Sequence, residues 1–165
     1  MSEQSDGRRH PTTDEPFVVF VIGMHVNRWR ALHRWVPVAV AMRRMQNELD
    51  ESDGLLESRN TWSGRTFTTV QYWTDFESLR EYARDPLREH VDAWREYNGR
   101  LRDGSVGVFH ETYRVDPDAF EAVYVDTPEL GLAGAVGTEP ASGGAETAGG
   151  RFDGRDDDPV VEVEP

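Results

Sequence analysis

The chain has 165 residues, enough for one domain with a core of its own and too few for two ordinary ones. It contains no cysteine, which excludes disulfides, thiolate metal sites, iron–sulfur clusters and a cysteine nucleophile. Its 31 acids outweigh 18 bases, all of them arginine, for a formal net charge of −13; the basic footprint of a nucleic-acid-binding protein is absent, and acidity without lysine points to a salt-adapted host.

Residues 1–16 are polar and aperiodic and read as a disordered arm, with no apolar stretch of the kind a signal peptide needs. Later apolar runs fall short of the roughly 20 residues that span a bilayer, so a soluble, cytoplasmic protein is expected. Phe17–Val26, FVVFVIGMHV, is a continuous apolar, β-branched run and reads as a buried central strand. A crossover with Trp29, His33 and Trp35 leads to Pro37, which suits the first turn of a helix carrying Val38, Met42, Met45 and Leu49 on one face and closing at Gly54.

Leu55–Trp62 and Arg65–Trp73 then flank Ser63–Gly64 as the strands of a hairpin. Thr74 and Glu77 have capping-box spacing ahead of Phe76, Leu79 and Ala83, so a short helix starts there. Asp85–Pro86 restarts helix, with Leu87, His90, Val91, Trp94 and Leu101 on one face, until Asp103–Gly104. Val106–Val115 is the next strand and Ala119–Asp126 a further short one; the Gly-, Ala-, Pro- and acid-rich residues 132–165 read as a disordered tail. The expected division is thus an arm at 1–16, a domain at 17–131 and a tail at 132–165.

Strand, helix, strand, strand, helix, strand is the ferredoxin-like βαββαβ order, an α+β fold with one antiparallel sheet and its helices on one face. The strands are apolar at nearly all positions, so both sheet faces should be buried, and a second copy of the chain is the economical cover for the open one: a homodimer is expected.

The strand VGVFHETYRV sets His110 beside Glu111. Neighbours in a strand point to opposite faces, so one of the two should face inward and at most one belongs to a site. A buried histidine is either satisfied by a hydrogen bond in the core or available as a base near neutral pH.

Four segments, QYWTDFESLREYARDP, REHVDAW, VGVFHETYRV and FEAVYVDTPELGL, in this order and spacing, resemble the monooxygenase-like family typified by the fumagillin-pathway monooxygenase, within the dimeric α+β barrel superfamily that holds the antibiotic-biosynthesis monooxygenases. The likeness covers about Phe17 to Leu132, and its most specific parts are HETY and the later Tyr124-Val125, Pro128 and Gly131-Leu132. The resemblance implies a monooxygenase with a cavity between sheet and helices that takes a small apolar or aromatic organic molecule. Members that work without a cofactor let the substrate carbanion reduce oxygen, which calls for a base and a pocket that excludes water.

On this reading His90 or His110 is the base, Asn60 or Arg59 holds the developing oxyanion, and Tyr72, Trp73, Trp94 and Phe109, with Glu111, line the substrate site. Haem is the rival cofactor, with His90 as the iron ligand from a helix. No metal site is expected: His25, His33, His110 and Glu111 lack the i, i+4 spacing of a helical zinc site. A non-catalytic small-molecule-binding or structural homodimer is the alternative to an enzyme; an RNA-binding module is disfavoured by the acidity.

Overall fold

The computed structural model describes residues 7–49, 52–84 and 103–154. The helical segment expected after Asp85, with His90 and Trp94, lies outside the described residues.

The elements in chain order are β1 (Arg8–His10), β2 (Phe17–Val26), α1 (Leu32–Leu49), β3 (Leu55–Ser63), β4 (Thr66–Trp73), α2 (Phe76–Arg84), β5 (Val106–Val115), β6 (Tyr124–Val125), α3 (Leu132–Val136), β7 (Glu139–Pro140) and α4 (Ala148–Asp153). From β2 to β5 this is a mixed α+β fold around one antiparallel sheet of order β3-β4-β2-β5, as the apolar run of β2 and the hairpin around Gly64 lead one to expect. Gly64 takes φ +58 at the β3–β4 turn, where a residue with a Cβ would be strained.

Helix α1 begins five residues earlier than the sequence predicts, with Pro37 inside it. The ring removes one backbone donor. Beside this loss, Trp35 stacks on Trp29 at 5.0 Å and its indole N–H donates to the Trp29 carbonyl at 2.9 Å, which ties down the first turn. At α2 the N-terminal cap is Asp75 and not Thr74: Asp75 Oδ1 accepts from the Ser78 amide at 2.8 Å, and Thr74 donates to the other carboxylate oxygen. A carboxylate one residue nearer the helix is the better acceptor and favours the positive end of the helix dipole.

Both helices pack on the same side of the sheet. Val18 and Trp73 form one buried cluster with Leu49 of α1 and Leu79 of α2; Met24, Val26 and Val106 form another with Met42 of α1. Register fixes what lies between. On this side the side chains fall in four successive rungs across the sheet: Trp62–Phe67–Met24–Val108, Asn60–Thr69–Ile22–His110, Ser58–Gln71–Phe20–Thr112 and Leu55–Trp73–Val18–Arg114. The outer two rungs hold the apolar clusters. The middle two are mostly polar.

The opposite, outer side carries Phe17, Val19, Val21 and Gly23 of β2 with Tyr72, Phe109, Glu111 and Tyr113 on the neighbouring strands. One end of it is covered by the chain after β5: Phe120 meets Phe17 edge-on at 5.5 Å, and α3 packs on β3 with Leu132 and Ala133 buried. A Cβ on Gly134 would stand 3.2 Å from the Glu57 carboxyl carbon, a contact that the flexible end of the glutamate would have to yield to.

Two expectations need correction. Of the strand read over Ala119–Asp126 only Tyr124–Val125 pairs: the chain turns at Asp116–Ala119 before it, and Asp126 at φ 50 ends it. From the segments expected to be a disordered arm and tail, Arg8–His10, Glu139–Pro140 and α3 take regular structure: β1 lies between β6 and β7 in a second sheet. Composition hid this because the contacts are polar and distant in sequence. The Arg9 guanidinium donates to the Thr138 hydroxyl at 2.8 Å and carbonyl at 2.7 Å, and the Gly7 amide to Asp126 at 2.9 Å.

Candidate active site

Alternation within β4 explains the polar band. Phe67, Thr69, Gln71 and Trp73 share the helix-facing side, and the two polar members are buried like Trp73 while Phe67 is half-buried: Thr69 is 1% and Gln71 5% exposed. Buried polar groups require partners. Thr69 donates its hydroxyl hydrogen to Asn60 Oδ1 at 2.8 Å, and the Trp73 indole N–H donates to Gln71 Oε1 at 3.0 Å. Since Thr69 engages the oxygen of the Asn60 amide, the NH₂ side of that amide is turned away from it, as a donor.

At the other end of the same rung, His110 is exposed on β5, an edge strand, with its ring 5.9 Å from that of Phe20. Between His110 and Asn60 the floor of this rung is the half-buried Ile22 and the buried Thr69, with the half-buried Phe20 in the next rung. The floor is thus bounded by an imidazole on one edge and a fixed carboxamide on the other. Three strand spacings separate these residues, about 14 Å between backbones.

The residues expected to line one site divide between two. Asn60, Trp73 and His110 face the helices; Tyr72, Phe109 and Glu111, together with Arg59, face the outer side. Strand parity dictates this: Tyr72 and Trp73 are neighbours in β4, and Phe109 and Glu111 flank His110 in β5. Trp73 is fully buried in its cluster and is core, not lining. Neither His110 nor Glu111 is turned into a closed interior, contrary to the expectation that one must be, because an edge strand is covered on fewer sides than a central one. His90 and Trp94 lie outside the described residues. Among the described residues no group of three or more His, Asp or Glu side chains is placed to hold a metal ion.

On the outer side Glu111 accepts a hydrogen bond from the Tyr113 hydroxyl at 2.6 Å, and that bond raises the Tyr113 pKa. Burial, reinforced by Tyr124 and Glu57, also raises the Tyr72 pKa, with Arg59 and the Leu132 amide acting against it. Both phenols therefore stay protonated at neutral pH and serve as hydrogen-bonding groups, not as bases.

Thr69, Gln71, Ser58 and Thr112 escaped the sequence reading. The signal was present: in TFTTVQYW the positions sharing parity with Phe67 and Trp73 are a threonine and a glutamine, a break in an otherwise apolar face.

The profile of the family described as monooxygenase af470-like matches residues 17–132. Monooxygenase af470 of Aspergillus fumigatus is 32% identical over 100 residues, which are 57% of this chain and 34% of that protein, so the chain spans about a third of the relative's length. Among solved structures, SnoaB, a cofactor-independent oxygenase from Streptomyces nogalater, is 15% identical, covering 59% of this chain and 90% of that one at a TM-score of 0.44. Rv0793 from Mycobacterium tuberculosis is 18% identical, covering 57% and 92% at a TM-score of 0.44. No helix among the described residues is long and apolar enough to cross a membrane.

Proposed function

The chain belongs to the monooxygenase af470-like family, and on that premise we propose that it is a monooxygenase acting on a small aromatic organic molecule held against the helix-facing side of the sheet. The observation that carries this reading is the band of hydrogen-bonding groups, Asn60, Thr69, Gln71 and His110, set between two apolar clusters where a purely structural sheet would continue its core.

The chemistry needs no atom beyond substrate, oxygen and side chains. His110 takes a proton from an acidified C–H of the substrate, and the Asn60 amide donates to the oxyanion onto which the charge delocalises. The electron-rich carbanion reduces molecular oxygen, a C–O bond forms, and the resulting hydroperoxide loses water to leave a carbonyl: CH₂ + O₂ gives C=O + H₂O. Phe20 and Ile22 supply the apolar surface on which the ring lies, and desolvation there strengthens both polar contacts. His110 and Asn60 stand on opposite edges of that floor, so a molecule of two or more fused rings is the size that meets both.

A second copy of the chain over the outer face belongs to the same reading. It is supported by Phe109 and Tyr113, 38% and 50% exposed, beside the half-buried Val19 and Val21.

Oxygen uptake with an anthrone, whose acidic ring methylene is the CH₂ of that step, measured against the uncatalysed rate, tests the proposal. The wild-type chain should accelerate uptake, and His110→Ala should lower the rate by about 100-fold or more without loss of fold, because the residue is exposed. Ligand binding without oxygen uptake, or an undiminished rate in His110→Ala, refutes it.

A further inference from the structure

We propose that the arginine- and tryptophan-rich end of the sheet is a recognition mouth for an aromatic carboxylate. The inference rests on the oxygenase reading and deepens it, since it names the class of molecule that reaches the polar band.

Three segments meet at this end. The Val26 amide donates to the Arg65 carbonyl at 2.8 Å, the Asn27 and Arg28 amides to the Ser105 carbonyl at 3.0 and 3.2 Å, and the Asn27 side chain to the Gly104 carbonyl at 3.1 Å. They place Arg28 and Arg65 at one end of the sheet, and among the described residues Arg34 and Arg28 both act on the Asp103 carboxylate there. That carboxylate is already committed: the Ser105 hydroxyl donates to it at 2.6 Å and the Ser105 amide at 3.0 Å, and Arg34 lies 3.7 Å away. Arg30 and Arg65 are exposed and form no ion pair among the described residues, and Arg28, also exposed, acts on Asp103 only at longer range than Arg34. In a chain of net charge −13 this is a local reversal of sign. Guanidinium groups match a carboxylate in geometry as well as in charge.

The tryptophans specify the rest of the ligand. Trp29 and Trp35 are stacked at 5.0 Å, Trp35 lies 6.5 Å from Trp62, and Trp62 lies 5.8 Å from Phe67, a continuous aromatic series from solvent to the first rung of the sheet. Trp29 is 44% and Trp62 47% exposed. The indole N–H groups of Trp35 and Trp62 are bound to the carbonyls of Trp29 and Gly64. Trp35 is covered by Trp29 and the Met24–Met42 cluster, so the exposed Trp62 is the ring that offers a face and not a donor, which suits a flat aromatic body and not a sugar or a peptide amide. The next rung, about 7 Å further along the strands, carries Asn60 and His110. A ring stacked at the mouth with its carboxylate on the arginines thus extends its far edge toward the groups assigned to chemistry.

Calorimetric titration of the full chain with 2-naphthoate and with 2-naphthamide, its neutral counterpart, tests the assignment. Naphthoate should bind about tenfold more tightly than naphthamide, and the double variant Arg28→Gln/Arg65→Gln should erase that preference while leaving naphthamide within about twofold. Equal affinity for the two probes, no binding of either, or an unchanged naphthoate affinity in the double variant overturns it. If charge discrimination holds but no anthrone is oxidised, the oxygenase reading falls and the mouth stands. Oxidation without discrimination leaves the oxygenase standing and removes the mouth.

Discussion

His110 and Asn60 owe their positions to different causes. Asn60 is oriented by a buried hydroxyl, Thr69, whereas His110 is presented by an edge strand with only the Phe20 ring at its side. They should respond differently to substitution. Asn60→Ala removes an oxyanion donor and also an acceptor for buried Thr69: kcat should fall about 100-fold and stability by about 1 kcal/mol, read by oxygen uptake and urea unfolding. A variant with wild-type kcat would remove Asn60 from the chemistry. The opposition of His110 and Glu111 was legible in the sequence because parity is a local property of a strand. Their exposure was not, because it depends on β5 being an edge, and strand order is set by pairings remote in sequence.

Among the elements, those with regular periodicity were readable and those held by single polar contacts were not. β2 and the β3–β4 hairpin followed from apolar runs and Gly64, and Val38, Met42 and Leu49 marked the inner face of α1; the shift of the α2 cap from Thr74 to Asp75 turns on which of two adjacent acceptors reaches the Ser78 amide. The Asp75 pKa is lowered, chiefly by that amide and further by the Ser78 hydroxyl. A depressed folded pKa contributes stability that is present above the unfolded value, 3.8, and is lost as pH falls through the folded one. Asp75→Ala should therefore cost about 1 kcal/mol at neutral pH and flatten the acid limb of the stability profile in urea titrations. An unchanged acid limb would show that Thr74 or Glu77 does the capping.

At the scale of the molecule, the outer face is divided between a covered end, under Phe120 and α3, and an end that displays Phe109 and Tyr113. Phe109 lies over Gly23, so closely that a Cβ there would come within 2.5 Å of the ring. A partner chain would meet a flat aromatic surface and not a cleft. Phe109→Arg should convert a dimer at micromolar concentration into a monomer in light scattering, with helix content unchanged; a wild-type chain that is already monomeric would count against the second copy.

The pairing of Arg8–His10 between Tyr124–Val125 and Glu139–Pro140 also dictates an order of events. The β3–β4 hairpin closes across a short turn and can form as soon as it is made, and β2 can then add to β4. Arg8–His10, by contrast, have no strand to join until Tyr124–Val125 exist, after the whole of the first sheet. A chain synthesised from its N-terminus thus keeps Arg8–His10 unpaired until Tyr124–Val125 have been made, and completes the second sheet after the first.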